Sequence, residues 1–302
     1  MLPAATRTVR LDRPLDLRRT LAPVRRGGGD PCMQLDATTC RRATRTPEGP
    51  ATVHLRHHGG CVEAEAWGDG ATWALDHLPD LLGQHDDAAG FRPGLPMLDD
   101  LARRFAGIRF CRTNAVAEAL VPTILEQKVT GTDARRSWHR LVRDLGEPAP
   151  GPGPSLRLPP SPDTLARTPS WVFHRANVER TRAHTITRAM ARAHRVDEAA
   201  EMTMADAYAR LLAFPGVGVW SAAEVANVAL GDPDAVSVGD YHLKNQISWA
   251  LAGEPRGTDE RMLELLEPWR GHRGRVVRLV LAAGTRAPKY GPRMPTRSFA
   301  RI

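Results

Sequence analysis

The stretch that decides the fold is "LLAFPGVGVWSAAEVANVALGDPDAVSVGDYHLKNQ", residues 211–246. A helical pattern stops at "FPGVG", residues 214–218, and resumes at once. Glycine lets a backbone approach a ligand closely where a Cβ would clash, and the start of a helix presents free N–H groups. Further on, a single acid, Asp240, precedes another helical pattern. The sequence therefore predicts a hairpin between two helices, with one carboxylate nearby.

Taken alone, "PGVG" is as typical of a plain corner between helices as of a phosphate site. Other phosphate-binding motifs fit less well, because no G-x-G-x-x-G follows a strand and no G-K-[ST] occurs. Ser221 and Glu224 have the spacing of a capping box, which predicts that Ser221 caps the second helix. The role of the hairpin therefore depends on its surroundings.

Composition narrows the class of protein. The chain has 302 residues and 42% hydrophobic residues, which is typical of a globular protein with one large or two ordinary domains. No apolar run approaches the roughly 18 residues that cross a bilayer. The first residues, "MLPAATRTVRLDRP", include no apolar signal region. We therefore expect a cytoplasmic protein, associated with the nucleoid if it binds DNA, and no membrane partner.

Charge and cysteine content point the same way. The net charge of +8 and the pI of about 10.0 favour a polyanionic partner such as nucleic acid, although nearly all of the basicity is arginine. The four cysteines form no C-x-x-C pair, which indicates reduced thiols rather than a zinc or disulfide framework. The histidines of "HLRHH" alternate along a strand pattern and have no matching ligand set, so no metal site is expected.

The periodicities predict an α+β N-terminal domain at 1–92 and an all-helical domain at 93–285. In the first domain "TVRLD" is strand-like, a helix is predicted over 15–26, and two strands flank Gly59-Gly60, which is typical of a hairpin. A helix over 71–83 should end at Gly83. Residues 147–163 are proline-rich and predicted to be a surface loop, and 286–302 a basic, flexible tail.

The order of these elements resembles that of the helix-hairpin-helix DNA glycosylases. "LLAFPGVGVWSAAEVANVAL", followed by "GDY", matches their glycine- and proline-rich loop and following aspartate, and "ALVPTILEQKVT" (119–130) is similar to their helix ending in I-L-x-Q. The α+β unit before the helical half resembles the bacterial 3-methyladenine DNA glycosylase II type. That resemblance implies that the first domain is like half of a TATA-binding protein, and that the partner is double-stranded DNA containing damaged bases.

The resemblance also implies a set of site residues. Asp240 is the expected catalytic carboxylate, which would stabilise an oxocarbenium-like sugar; as the first residue of a helix it is equally suited to capping, and the two roles are compatible. The expected base pocket is Trp220, Glu224 and Tyr241. The expected DNA contacts are Gln127, Lys128, Pro215, Gly216, Val217, Gly218 and Ser221. Trp220 could stack on a cationic base, and Glu224 could either favour such bases or only complete the capping box.

Departures from the family pattern sort its branches. Relatives that also cut the backbone have a lysine just after the hairpin, where this chain has Trp220, and no lysine lies between 129 and 243. Relatives with an iron–sulfur cluster have four C-terminal cysteines, but here none follows Cys111. We therefore expect a monofunctional glycosylase with no cofactor and no iron–sulfur cluster, apart from a loosely held Na⁺ or K⁺ at the hairpin.

The choice of damaged base stays open in the sequence. The segment "RLVLAAG" lacks the aromatic residues of the relatives, and Glu224 replaces another one. The leading prediction is a monomeric enzyme that excises alkylated purines of the 3-methyladenine or 7-methylguanine type in base-excision repair. The alternatives are a glycosylase of the same fold for another base, such as hypoxanthine, and a non-catalytic DNA-binding protein.

Overall fold

The computed structural model describes residues 2–153 and 156–288. Most of the predicted tail, from residue 289 on, lies outside these described residues. The strands are β1 Ala5–Arg10, β2 Met33–Leu35, β3 Thr39–Thr46, β4 Gly49–His58 and β5 Cys61–Trp67. They form one antiparallel sheet in the order β1-β5-β4-β3-β2. The predicted hairpin between β4 and β5 is confirmed, since Gly59 and Gly60 have φ values of +55° and +76°, which suit glycine.

Helices make up nearly all of the rest. They are α1 Leu17–Leu21, α2 Ala71–Asp76, α3 Leu78–Leu81, α4 Pro96–Arg104, α5 Val116–Glu126, α6 Gly131–Leu145, α7 Pro162–Arg167, α8 Ser170–Arg175, α9 Arg180–Met190, α10 Ala193–Asp197, α11 Met204–Leu212, α12 Val219–Val225, α13 Leu243–Ala252, α14 Asp259–Leu266 and α15 Arg273–Ala282. A π-helical turn, Ala226–Leu230, extends α12. Within the described residues no helix is both long and apolar enough to span a membrane.

The prediction of an α+β region followed by a helical region is confirmed, but several details of the first region were wrong. The predicted helix over 15–26 is only the five-residue α1. The predicted helix over 71–83 breaks into α2 and α3 near Pro79, which suits the first turn of a helix and disrupts its interior. Gly83 does follow the last turn, with φ +63°.

Strands β2 and β3 were missed: β2 has only three residues, and in β3 arginines obscure the alternation. Arg42 of β3 is only 6% exposed. Its guanidinium donates to the Glu118 carboxylate of α5 at 2.8 Å, and the Thr44 hydroxyl donates to the same carboxylate at 2.8 Å. A charge paired in this way can occupy an inward position that sequence patterns reserve for apolar residues. These contacts join the sheet to the helical half.

The proline-rich stretch is not the free surface loop that was predicted. Leu156 and Leu158 are buried against Ala43 of β3. The Arg45 Nε donates to the Pro159 carbonyl at 2.7 Å. The stretch therefore lies against the sheet, and short helices α7 and α8 follow it.

Three apolar clusters build the core. One lies between the sheet and α1 to α3, a second surrounds α5 in the helical half, and a third joins α4 with α13, α14 and α15. The Arg275 guanidinium of α15 donates to the Asp86 carboxylate at 2.5 and 3.1 Å, so α15 is also tied to the segment after α3. The division at 92/93 stays a prediction, and this ion pair crosses it.

Candidate active site

The hairpin at 214–218 connects α11 to α12, as predicted. Gly216 has φ +92°, and a Cβ there would lie 2.4 Å from the Thr185 hydroxyl oxygen. Gly218 is the N-cap of α12, and a Cβ there would meet nothing within 4 Å. Pro215, Gly216 and Gly218 are exposed, whereas Val217 is buried. The turn therefore needs glycine at 216 for its own geometry, while at 218 the protein leaves open space in front of the backbone.

The end of α5 is bonded directly to this hairpin. The Gln127 side-chain amide donates to the Gly216 carbonyl at 3.0 Å and to the Ser221 hydroxyl at 2.9 Å. Ser221 lies inside α12 and is only 2% exposed, and no side chain caps this helix. The predicted capping box was therefore wrong, because Gly218 is the N-cap and the Ser221 hydroxyl instead holds Gln127.

Lys128, the next residue, is held in an uncommon backbone conformation. Its φ is +56°, in the left-handed region, and the residue is exposed. Such a conformation is unusual for a residue that has a Cβ, and it is found disproportionately at functional sites. The structure thus places Gln127 in contact with the hairpin, and Lys128 follows Gln127 directly in the sequence.

Asp240 is fixed by one oxygen and open at the other. Its Oδ1 accepts from the backbone N–H of His242 at 2.7 Å and of Leu243 at 2.8 Å, at the start of α13. No hydrogen bond reaches Oδ2 from any part of the chain that the structure describes. Capping of this helix and availability of the carboxylate therefore coexist, because each uses a different oxygen.

The loop that carries Asp240 is anchored by two acids that sequence reasoning missed. The Asp232 carboxylate accepts from the Tyr208 hydroxyl at 2.9 Å. Asp234 pairs with Arg273 at the start of α15, where the guanidinium Nε donates at 2.9 Å. The loop is thus attached to α11 on one side and α15 on the other, which fixes the position of Asp240.

Asp240 opens into a cleft of about 460 Å³. Its walls come from α1, from α12 and its π-helical turn, from the 231–242 loop, from α13 and from α15; they include Arg19, Glu224, Asn227, Ser237, Leu243 and Arg278. Glu224 and Asp240, two of the predicted site residues, line this cleft together. Trp220 and Tyr241 are not among its lining residues, and Tyr241 is 72% exposed.

Glu224 is a half-buried carboxyl with one hydrogen-bond donor. The Ser237 hydroxyl donates to its Oε1. Burial raises the pKa of Glu224, and the nearby carboxylates of Glu126 and Asp240 raise it further, while the bond from Ser237 and the charge of Arg26 lower it. Glu224 therefore retains its proton to a higher pH than a solvated glutamate does.

Two further cleft residues were not predicted. Asn227 follows Glu224 by three positions, so helical spacing puts both on one face, and this signal was present in the sequence. Arg278 lies in the apolar segment of α15, where a lone arginine was the only indication. The Arg278 guanidinium donates to the Asn227 side-chain oxygen at 2.5 Å and to the Arg109 carbonyl at 3.0 Å. These polar side chains lie in a cleft that is otherwise mostly apolar, and none of its described lining residues is aromatic.

A larger cleft, of about 620 Å³, lies between the sheet and the helices. It is lined in part by Trp73, His77 and Asp197, and includes neither Asp240 nor a hairpin residue. Size alone would favour it, but the open carboxylate of Asp240 favours the smaller cleft, and residues 214–218 line neither of the two. No cluster of three or more His, Cys, Asp or Glu side chains suited to a metal occurs among the described residues; a monovalent cation at the hairpin stays a prediction.

Comparison with known proteins gives structural neighbours only. No protein-family model matches the chain, and no curated protein sequence does. A 3-methyladenine DNA glycosylase from Archaeoglobus fulgidus has a TM-score of 0.78 at 18% identity, over 92% of this chain and 98% of that one. The 8-oxoguanine glycosylase/lyase of Clostridium acetobutylicum, in its apo form, has a TM-score of 0.70 at 14% identity, over 91% and 95%.

A third neighbour matches about two thirds of this chain. The 3-methyladenine DNA glycosylase of Schizosaccharomyces pombe, solved with abasic DNA, has a TM-score of 0.52 at 13% identity, over 66% of this chain and 97% of that one. The shared architecture, together with the hairpin, the adjoining α5 and the aspartate after them, leads to one conclusion. The chain has the fold of the helix-hairpin-helix DNA glycosylase superfamily.

Proposed function

We propose that this protein is a monofunctional DNA glycosylase that flips alkylated purines out of duplex DNA and excises them in base-excision repair. The observation that carries the proposal is the Asp240 carboxylate, which two backbone N–H groups hold by Oδ1 while Oδ2 stays open beside a cleft. The volume of about 460 Å³ lies within the usual range for sites that bind small ligands. The described residues thus offer one fixed charge next to a space for a base.

Asp240 would act on the sugar rather than on the base. Breaking the bond between base and sugar develops positive charge on the sugar, as in glycoside hydrolysis. A carboxylate that is already positioned stabilises this charge without reorganising, and it can orient or deprotonate the attacking water. Alkylation at a ring nitrogen gives a purine a positive charge of its own, so that it leaves readily and needs no strong general acid.

The hairpin would hold the DNA backbone. Gly218 leaves open space before the first N–H groups of α12, which suits a phosphate oxygen. Along the helix, at about 1.5 Å per residue, Gly218 lies roughly 9 Å from Glu224 in the cleft. One helix would therefore bind a phosphate at its start and face the extruded base further along. The net charge of +8 supports an anionic partner.

The residues before the hairpin would probe the duplex. Gln127 ties α5 to the hairpin carbonyl, and Lys128 projects from the same end in a left-handed conformation. We propose that Lys128 fills the space that the extruded base leaves, or binds a phosphate beside it. Extrusion costs a few kcal/mol, so a side chain that holds the gap open contributes directly.

A second candidate is a glycosylase of this fold for another base. It is favoured by Arg278, which places a cation near the site that a cationic base would occupy. The structural neighbours include both 3-methyladenine and 8-oxoguanine enzymes. In either case we propose a cytoplasmic monomer that needs no cofactor, with an N-terminal sheet comparable to half of a TATA-binding protein.

The test is release of free bases from methylated duplex DNA, measured by chromatography. Wild type should release alkylated purines, and Asp240→Asn should release none while it binds DNA as tightly or more tightly, because the carboxylate is needed in the transition state and not for binding. Strand breaks should appear only after chemical cleavage of the abasic product, and borohydride should trap no covalent adduct, since Trp220 occupies the lysine position. DNA binding without release of any base would favour the non-catalytic alternative.

A further inference from the structure

The side-chain amide of Asn227 can have only one orientation. The Arg278 guanidinium lies 2.5 Å from the Asn227 side-chain oxygen. A guanidinium has five N–H donors and no acceptor, so it can bond the oxygen of an amide but not its NH₂ group. The NH₂ group of Asn227 therefore points away from Arg278.

Arg278 is itself held firmly. Its guanidinium donates to the Arg109 carbonyl at 3.0 Å and lies 4.0 Å from the centre of the Phe110 ring. Burial lowers the pKa of Arg278, but an arginine remains charged in proteins. A guanidinium fixed on two sides does not exchange its bond to Asn227 readily, so the orientation of the amide is permanent.

The freed NH₂ group has no partner within the protein. No acceptor contacts the Asn227 amide nitrogen in residues 2–153 and 156–288. The nitrogen is not fully buried, so a ligand can reach it. Asn227 and Arg278 line the same cleft as Asp240. Asn227 and Arg278 therefore present N–H donors on their part of the cleft wall, and the Asn227 amide oxygen is already occupied.

This arrangement changes what an asparagine can recognise. An asparagine usually reads adenine by donating to N7 and accepting from the 6-amino group, which uses both ends of the amide. In Asn227 the accepting oxygen of the amide is already bonded to Arg278. A 6-amino group would find no acceptor on Asn227, whereas a carbonyl oxygen at position 6 would accept a hydrogen bond from its NH₂ group.

We infer that Asn227, oriented by Arg278, makes this cleft select purines with a carbonyl oxygen at position 6 over purines with a 6-amino group. The inference rests on the proposed function and narrows it: among alkylated purines, the guanine-derived 7-methylguanine is preferred over the adenine-derived 3-methyladenine. Hypoxanthine, which is neutral and carries the same carbonyl, belongs to the favoured class. Asn227 is the group that contacts the base, and Arg278 is a positioning residue.

The experiment uses one DNA sample, methylated so that it contains both 7-methylguanine and 3-methyladenine, and follows the initial rate of release of each. Because the two lesions differ in intrinsic lability, the quantity compared is the ratio of the two rates in a variant relative to wild type. Asn227→Asp keeps the shape and the bond to Arg278 but removes the NH₂ donor. The ratio of 7-methylguanine to 3-methyladenine release should fall about tenfold, which is the discrimination expected of one hydrogen bond to a base edge.

Two further variants separate edge recognition from charge and from folding. Arg278→Gln offers both a donor and an acceptor, so the Asn227 amide can rotate and the ratio should fall by a smaller factor. Glu224→Gln is the matched control in the same cleft, and should leave this ratio unchanged. In Asn227→Asp, release of hypoxanthine from a synthetic duplex should fall, as release of 7-methylguanine does, although hypoxanthine carries no charge. Thermal unfolding shows whether each variant is folded.

The outcomes are distinct. Equal loss of both bases in folded Asn227→Asp means that the residue only supports the structure, and overturns the inference while leaving the proposed function intact. Full release by Asp240→Asn overturns the proposed mechanism, but a changed ratio in Asn227→Asp still supports recognition of the edge. If wild type releases no base at all, the proposed function and this inference fail together.

Discussion

The hairpin and the cleft are built in opposite ways. The hairpin is five consecutive residues between two helices, and its shape follows from glycine at 216 and from the bonds of Gln127. The cleft is assembled from α1, the end of α12, the loop that leads into α13, α13 itself and α15, which span most of the chain. Structural neighbours named for different bases, 3-methyladenine and 8-oxoguanine, share the architecture. We therefore expect the hairpin to determine general DNA affinity and the cleft to determine which base is removed.

The largest effect should distinguish the two hairpin glycines. Gly216→Ala places a Cβ 2.4 Å from the Thr185 hydroxyl at φ +92°, so the free energy of unfolding should fall by about 1–3 kcal/mol. Gly218→Ala meets nothing within 4 Å, and its cost should stay below about 1 kcal/mol. Chemical denaturation measures both. Equal destabilisation by the two substitutions would mean that the space in front of the Gly218 backbone is not free.

A smaller effect should follow from cutting the tie between α5 and the hairpin. Gln127→Ala removes the bonds to the Gly216 carbonyl and to the Ser221 hydroxyl. The expected cost is about 1–2 kcal/mol of stability, together with weaker binding to undamaged duplex. Ser221→Ala, the matched control, removes only one of the two bonds and should show about half of each loss. An unchanged affinity in Gln127→Ala would separate α5 from the DNA surface.

Lys128 offers a test in which stability and function change in opposite directions. Lys128→Gly accepts the φ of +56° without strain, so stability should rise by up to about 1 kcal/mol. Excision of a base from duplex should nevertheless slow, because the side chain that fills the gap is lost. Excision from single-stranded DNA, where no gap forms, is the control. A variant that is both more stable and fully active on duplex would remove Lys128 from the site.

The smallest expected effect concerns pH and Glu224. Because burial raises the pKa of Glu224 above 4.5, its contribution to stability is complete below pH 4.5 and is lost as pH rises through the folded-state value. Over the same range the carboxylate forms, and the preference for cationic 7-methylguanine over neutral hypoxanthine, which carries the same 6-carbonyl, should grow severalfold. Glu224→Gln should remove both trends. Single-turnover rates on matched duplexes across pH measure the preference, and a pH-independent ratio in wild type would leave Glu224 without a role in selection.

How much the sequence predicts follows the same contrast. The hairpin, the helix after it and Asp240 depend on neighbours a few residues away, so glycine positions and helical spacing were sufficient. Strand β3 was missed because Arg42 is neutralised by Glu118, a residue on a distant helix. Arg278 was missed for a related reason, since the neutral Asn227 amide that accepts its hydrogen bond lies on another element. Charges that are paired only in the folded protein have no local pattern.

The base pocket shows where resemblance reaches its limit. Trp220 and Glu224 are four residues apart, so helical spacing suggested that they share one pocket. In the structure only Glu224 lines the cleft with Asp240. Lining depends on how α12 is rotated against α1 and α15, and neither helix is near it in the sequence. The role of Trp220 as a base-stacking residue stays a prediction.

The central claim, that the hairpin binds and the cleft reacts, is tested most directly by a crossed measurement on Gly218→Ala and Asp240→Asn. For each, the affinity for damaged and undamaged duplex is measured together with single-turnover base release at saturating enzyme. Gly218→Ala should weaken the affinities for damaged and undamaged duplex by a similar factor and keep its rate of base release at saturation. The logarithm of the affinity should fall with the logarithm of the salt concentration, with a slope of about 0.9 for each phosphate neutralised. Asp240→Asn should keep its affinity and lose base release. A changed preference for damaged DNA in Gly218→Ala, or near wild-type release by folded Asp240→Asn, would contradict the account.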